Sequence, residues 1–210
     1  VGNISMAINI DIPSQIEKLG NDKINIGAKN LQGEDIRTSG TYILYSLSEN
    51  DSINKKVFDG TFETGEQTKL KSFLQSQPSG KYQLKVKALD SKNNEIEEKA
   101  NFILYSFKDK KPPIKTNEWL VKKNTSFSPN KPAEVIFGVS DKDIYVLYQL
   151  NNNKKVFERR FIKMSEANQL FTVPYKAEYE DEVYMSFTFV KDGKLYNQNV
   201  SLAKETEKTD

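Results

Sequence analysis

From Asp143 to Leu202 the chain alternates apolar and polar residues with a period of two. The runs are DIYVLYQL, NKKVFERRFIKM, NQLFTVPY and VYMSFTFVKDGKLYNQNVSL, with turn residues between them. Successive side chains of an extended strand point to opposite faces, so this pattern dictates antiparallel strands with one buried and one wet face. In the last run Lys191-Asp192-Gly193-Lys194 joins two strands. Asp-Gly at its centre supplies the two positive-φ residues of a type I′ hairpin turn.

The same periodicity runs through the first half. Met6, Ile8, Ile10 and Ile12 share one face of a strand that Pro13 ends, and Ile24, Ile26 and Ala28 repeat the pattern. TYILYSL at 41–47 is β-branched and aromatic, and SENDSIN at 48–54 is a polar loop. KVFDGTF at 56–62 is a strand in which Asp59-Gly60 predicts a bulge or hairpin corner. In TKLKSFLQSQP, Leu70, Phe73 and Leu74 fit one helical face before Pro78, so a strand or a single helical turn crosses between sheets there. In SGKYQLKVKALD, Tyr82, Leu84, Val86 and Ala88 face inward. Gly80 and Tyr82 have the placement of an immunoglobulin-like tyrosine corner.

Strands every 8–12 residues with no helical pattern between them predict an all-β chain of two tandem immunoglobulin/fibronectin III-like β-sandwiches, about seven strands each. Hydrophobic residues make up only 37% of 210, and exchanging the ten Tyr for the ten Gly leaves that value unchanged. Ordinary globular domains run at roughly 45–50%, so two thin cores fit better than one thick one. The expected organisation is a loose lead at 1–5, a sandwich at 6–108, a Pro-Pro linker at 109–115, a sandwich at 116–203 and a polar tail at 204–210. KDKKPPIK marks the boundary, its two prolines favouring an extended conformation.

The chain has no Cys and no His. That removes the usual zinc ligands, thiol nucleophiles and Ser–His pairs at once. The 31 basic and 29 acidic residues nearly cancel, which gives no reason to expect nucleic acid as a partner. No run approaches the roughly 18 apolar residues of a membrane span. The expectation is no enzyme, no catalytic residue, no cofactor and no metal.

Several clusters carry side chains of chemical interest. Glu178, Glu180, Asp181 and Glu182, and more weakly Asp141 and Asp143, offer carboxylates for a hard cation, but their spacing matches no calcium loop. Glu63 and Glu66 offer an acid–base pair of the glycosidase kind. Tyr42, Tyr45, Tyr105, Trp119, Tyr145 and Tyr148 suit a core better than a platform. In the alternative reading, Tyr145, Tyr148 and Trp119 form an aromatic binding face. Arg159 and Arg160 are adjacent and so point opposite ways. Asn3, Asn50, Asn124 and Asn199 open N-glycosylation patterns at chance frequency.

The strings KKPPIKTNEWLV, FSPNKPAEVIFGVS, DIYVLYQL, ERRFIKM, FTVPYKAEYEDEV and SFTFVKDGKLY resemble macroglobulin-type domains of alpha-2-macroglobulin-like proteins from Bacteroidetes. The resemblance covers about 110–202. SGTYILYSL, SGKYQLKVKALD and MAINIDIP extend it more loosely over 7–107. It implies non-catalytic scaffold modules in an exported, periplasmic or surface-attached protease trap. The partners would be proteases, through the full-length parent, and neighbouring domains of the same chain. The family's thioester lies in a Cys-Gly-Glu-Gln motif; Thr64-Gly65-Glu66-Gln67 lacks the Cys and belongs to a β-module, so it carries no such chemistry. A Bacteroidetes source also makes Ser52, in Asp51-Ser52-Ile53, a possible O-glycosylation site. The alternative function is a cell-surface binding module, a glycan- or protein-directed tandem sandwich.

Overall fold

The structure is a computed structural model that describes residues 5–66 and 68–205. The chain divides into two compact units, Val1–Ser106 and Phe107–Asp210. The expected fold class is observed: the architecture is all-β, and each unit is a sandwich of one small and one five-stranded sheet around its own core.

In the first unit, β1 (Met6–Asp11) pairs antiparallel with β3 (Asn25–Asn30). The larger sheet has the order β2-β7-β6-β4-β5. Its strands are β2 (Gln15–Glu17), β4 (Ser39–Leu47), β5 (Ile53–Glu63), β6 (Gly80–Leu89) and β7 (Glu95–Tyr105). Pro13 lies at the point where the chain leaves the small sheet; β2 then adds to the large sheet, parallel to β7. Proline has no N–H to give a ladder, which favours the switch there. The inward residues of both sheets form one core with Leu70 and Leu74 of α1 (Leu70–Leu74), both fully buried. The helical alternative for this segment is therefore the observed one. The Tyr82 hydroxyl donates to the Pro78 carbonyl at 2.7 Å, which is the predicted tyrosine corner.

The expectation for Asp59-Gly60 is corrected. Both residues stay in register, opposite Ile43 and Tyr42, and the strand continues to Glu63. The bulges fall nearer the start of β5, where the register shifts between Leu44 and Tyr45 and between Ser46 and Leu47. Gly60 is needed mid-strand because a Cβ there would lie 2.7 Å from the Tyr42 hydroxyl oxygen. The missing side chain gives the buried Tyr42 ring its space.

The second unit repeats the device. Its small sheet is β13-β10-β8 and its large one β12-β11-β14-β15-β9. The strands are β8 (Trp119–Asn124), β9 (Ser126–Phe127), β10 (Ala133–Val139), β11 (Ile144–Asn151), β12 (Val156–Met164), β13 (Ala167–Val173), β14 (Glu182–Lys191) and β15 (Lys194–Lys204). β8 lies in the small sheet, and β9 crosses to run parallel to β15. The Asn124 amide holds the crossing by donating to the Ser126 and Pro132 carbonyls at 2.6 and 2.8 Å. The core is aromatic. Phe137 stacks on Phe187 at 4.4 Å, and Tyr148 stacks on Phe171 at 5.2 Å. Asp192 (φ 50°) and Gly193 (φ 73°) form the expected positive-φ pair of the final hairpin.

The segment read as a linker is tied into the second unit. Asn168 donates its backbone N–H to the Lys110 carbonyl at 2.9 Å and its amide to the Asp109 carbonyl at 3.1 Å. Ser140 accepts from the Thr116 N–H at 2.9 Å and donates its hydroxyl to the Ile114 carbonyl at 3.2 Å. At the other end, the residues read as a tail begin inside a ladder. β15 runs to Lys204, and Glu205 donates its N–H to the Phe127 carbonyl at 2.9 Å. Residues 206–210 and 1–4 lie outside the described residues.

Candidate functional site

A cleft in the first unit lies between β3, the 35–39 segment and the turn after β5. It has a volume of about 860 Å³, and its walls include Asp35, Arg37, Thr38, Glu63, Thr64 and Glu66. The chain builds it from a turn. The Glu66 N–H bonds back to the Glu63 carbonyl at 3.1 Å, Gly65 takes φ 88°, and Thr64 and Thr38 exchange bonds across the rim. Thr64-Gly65-Glu66 is thus a turn after an edge strand; Gln67 lies outside the described residues.

The structure does bring Glu63 and Glu66 to one cleft. A general acid at neutral pH needs a carboxyl in an apolar, water-poor surround. Both glutamates are exposed instead, in a wall shared with Asp35 and Arg37.

Five of the other carboxylates named above have side-chain partners, and Asp181 is exposed. Lys154 meets Glu180 at 3.0 Å and Lys155 meets Glu178 at 3.2 Å. Glu182 accepts from the Tyr184 and Ser201 hydroxyls, which hold its carboxyl below the usual carboxylate range. Asp141 accepts from the Asn117 amide at 2.8 Å. Asp143 pairs with Lys163 at 2.8 Å, and that lysine lowers its pKa. Among the described residues, no three His, Cys, Asp or Glu side chains converge closely enough to hold a metal ion.

The aromatics separate by strand parity. Tyr42, Trp119 and Tyr148 are buried, Tyr45 and Tyr105 half-buried, and Tyr145 exposed. The binding face expected from Tyr145, Tyr148 and Trp119 is therefore not formed. Neighbouring positions on β11 alternate faces, so Tyr145 points out while Tyr148 points into the core, where burial raises its phenol pKa. Burial, with Asp22 and Glu17 nearby, pushes the Tyr105 phenol up to about 12.

Arg159 and Arg160 do diverge. The Arg160 guanidinium lies over the Tyr148 ring at 5.0 Å and meets Glu158 at 3.1 Å. Arg159 faces Gln149 on the other side of the sheet, at 3.0 Å with the amide oxygen turned toward it. Ser52 is exposed in the β4–β5 loop, and its hydroxyl donates to the Asn50 amide oxygen at 2.8 Å and shares a 2.7 Å bond with Ser48. Of the N-glycosylation patterns, Asn50 and Asn199 are exposed, Asn124 is spent on the strand crossing, and Asn3 lies outside the described residues.

Asp90 opens the turn that runs to Glu95, and the structure adds a role for its carboxylate that the turn's composition does not show. Its carboxylate gathers the Lys92 and Asn94 N–H groups at 2.8 Å each, and the Ser5 N–H and hydroxyl at 3.0 Å each. The Asn94 amide bond leads the causes that drive its pKa far down. An Asp followed by Asn-Asn in a polar turn is the available signal for the turn, though none points to Ser5.

No protein-family model and no curated protein sequence matches this chain. Among solved structures it is similar to a tetra-tandem repeat in the extending region of a large adhesion protein. There the TM-score is 0.33 and the identity 11%, over 96% of this chain and 49% of that one. It is also similar to the native conformation of E. coli alpha-2-macroglobulin, with a TM-score of 0.33 and 8% identity, over 99% of this chain and 16% of that one. The chain spans about half the length of the first and about a sixth of the second.

Proposed function

We propose that this chain supplies non-catalytic structural modules to an alpha-2-macroglobulin-like protease-trapping protein of Bacteroidetes type, exported to the periplasm or cell surface. One observation carries the architectural part. The side chains that offer chemistry are mostly engaged within their own unit: Glu178 and Glu180 with lysines, Glu182 with hydroxyls, and Tyr148 and Tyr82 in the cores. The macroglobulin part is supported by the strings FTVPY, DIYVLYQL and SFTFVKDGKLY, which form β13, β11 and the β14–β15 hairpin. Proteases and neighbouring domains of the parent are the partners in this reading.

The test challenges the natural full-length gene product with a broad-specificity protease. A trap gives one defined early cut, loss of activity on protein substrates and retained activity on small ones. Persistent cleavage of large substrates with no defined early cut overturns the trap role.

The second reading, a surface binding module, is favoured by one observation: Tyr145 is 61% exposed on the outer face of the second unit's large sheet. Trp119 is 3% exposed, so its fluorescence is a poor reporter of a ligand on that face. A glycan array is the direct measurement, and no saturable binder removes the glycan form of this reading.

A further inference from the structure

The two large sheets turn differently composed faces to solvent. On the first unit, the outer face of β6 and β7 is a charge network. Lys85 meets Glu97 at 2.9 Å, Lys87 meets Glu95 at 2.6 Å, and Lys99 meets Glu97 at 3.1 Å. Such a face is satisfied by water. On the second unit, strand register lays out level rows across β12, β11, β14 and β15. One row is Phe161, Leu147, Thr188 and Asn197; the next is Arg159, Gln149, Ser186 and Asn199. Beyond Phe161 on the other side, Tyr145 pairs with Lys163 on β11–β12, and Val190 pairs with Leu195 on β14–β15.

The centre of this face carries no charge, and one end of it is apolar. Phe161 is 76% exposed, and Val190 and Leu195 are each 66% exposed. Its basic residues are neutralised or turned aside, Lys163 by Asp143 and Arg159 by the Gln149 oxygen. Charge depletion at the centre with exposed aromatics is the composition of a protein interface rather than of a solvated sheet.

We propose that this face docks on the same face of a second copy of the chain, sheet on sheet, about a two-fold axis parallel to the strands. That axis keeps each row at its own level and exchanges its two sides. Tyr145 and Lys163 of one copy then lie level with Val190 and Leu195 of the other, Phe161 lies over Asn197 one row away from Leu195, and the reverse contacts form at the same time, as an isologous interface requires. Arg159 faces the partner's amide and hydroxyl side, not another cation. An axis across the strands through the Phe161 row would instead set Lys163 over the partner's Arg159, Val190 over Ser186 and Leu195 over Asn199, leaving the apolar end without apolar cover.

The area is adequate. Four strands about 4.8 Å apart and about eight residues long give a face of the order of 500 Å² in projection. Side-chain relief brings that toward the ~800 Å² per partner of a standard interface. A glycan would use the rings and amides, but Leu147, Val190 and Leu195 offer nothing to hydroxyl-rich surfaces. This inference is independent of the trap reading.

The experiment is sedimentation velocity on the full chain from micromolar to near-millimolar concentration. The expected result is a weight-average mass that rises toward twice the monomer. Phe161→Asp and Val190→Lys each hold the mass at the monomer value. Both side chains are exposed, so circular dichroism and Trp119 fluorescence stay native. Lys87→Gln, on the charged face of the first unit, leaves association unchanged. A monomer across the whole range overturns the proposal, as does a dimer indifferent to Phe161→Asp. So does a monomer that retains a soluble glycan through Phe161.

Discussion

Replacing Phe137 by alanine tests whether the second unit rests on its stacked rings. Phe137 is fully buried on β10. It lies nearly parallel to Phe187 across the sandwich, with an interplanar angle of 6° and centroids 4.4 Å apart, and reaches Phe189 at 6.5 Å. Removing a buried Phe costs about 3–5 kcal/mol in transfer and cavity terms. About 0.5–1.5 kcal/mol of that is ring–ring geometry that an aliphatic side chain does not restore. The unit has about a hundred residues, so its total stability is about 5–15 kcal/mol. Phe137→Ala therefore removes about a fifth of it or more. Phe137→Leu keeps most of the volume and costs less than about 1.5 kcal/mol.

The assay is urea unfolding followed by the fluorescence of Trp119. It is the only Trp, and it pairs with Gly138 beside Phe137. With a slope of about 1.5 kcal/mol per molar urea, the alanine variant drops the midpoint by about 2–3 M and the leucine variant by less than about 1 M. An alanine variant within about 1 kcal/mol of the parent refutes the reasoning, because a fully buried ring between two sheets cannot be so cheap to remove.

Three further outcomes are expected. Tyr82→Phe removes the donor to the Pro78 carbonyl in a buried corner and costs about 1–2 kcal/mol, measured by tyrosine near-ultraviolet dichroism in urea; a change under about 0.3 kcal/mol means the carbonyl finds water instead. Gly138→Ala puts a Cβ 1.9 Å from the Asn168 amide oxygen and 3.2 Å from Pro112, so Asn168 must release the Asp109 carbonyl. The variant loses about 1–3 kcal/mol, and amide exchange of Asn168, the donor to Lys110, accelerates. The pH dependence follows from Asp90 and Glu97. Asp90 is held far below its usual range by the bonds to Asn94, Lys92 and Ser5, and Glu97 at about 2 by Lys85 and Lys99. Folded-state values below the unfolded ones mean their stabilisation is complete above pH ~5 and is lost as the pH falls through the unfolded value toward the folded one. The first unit's urea midpoint therefore falls between pH 5 and 2, and Asp90→Asn flattens that limb; an unchanged limb assigns the acid sensitivity elsewhere.

Period two was enough to find the strands because it is a local property. Tyr82, Leu84, Val86 and Ala88 are all buried, as their spacing requires. The final hairpin was legible for the same reason, since Asp192-Gly193 suits its turn whatever surrounds it. What failed had a distant cause. Asp59-Gly60 has the local chemistry of a corner, yet Gly60 is fixed mid-strand by the ring of Tyr42 on the neighbouring strand. The 109–115 segment has the composition of a solvated linker, yet its carbonyls are bonded by Asn168, more than fifty residues later. Asp90 holds the backbone of Ser5 across a similar separation. No window along the chain contains both halves of such a contact.

The candidate face on the second unit was missed for a different reason. Alternation says that one phase of a strand is buried, and the stronger phase was assigned inward. Phe161, Tyr145, Val190 and Leu195 belong to the weaker phase, and of these only Tyr145 stands out in the sequence as a candidate for a binding face. Yet the weaker phase carries the functional information. A strand whose outward positions are Lys and Glu, as on β6 and β7, has water as its intended neighbour. An outward position that stays apolar after the core is complete, such as Val190 or Leu195, bears a hydrophobic cost that folding of its own unit does not relieve. Tyr196 and Phe189, stacked at 4.8 Å, show that the inward phase of β14 and β15 is already filled with rings. Val190 and Leu195, the outward residues beside them, stay exposed, and the proposed sheet-on-sheet contact is what would cover them.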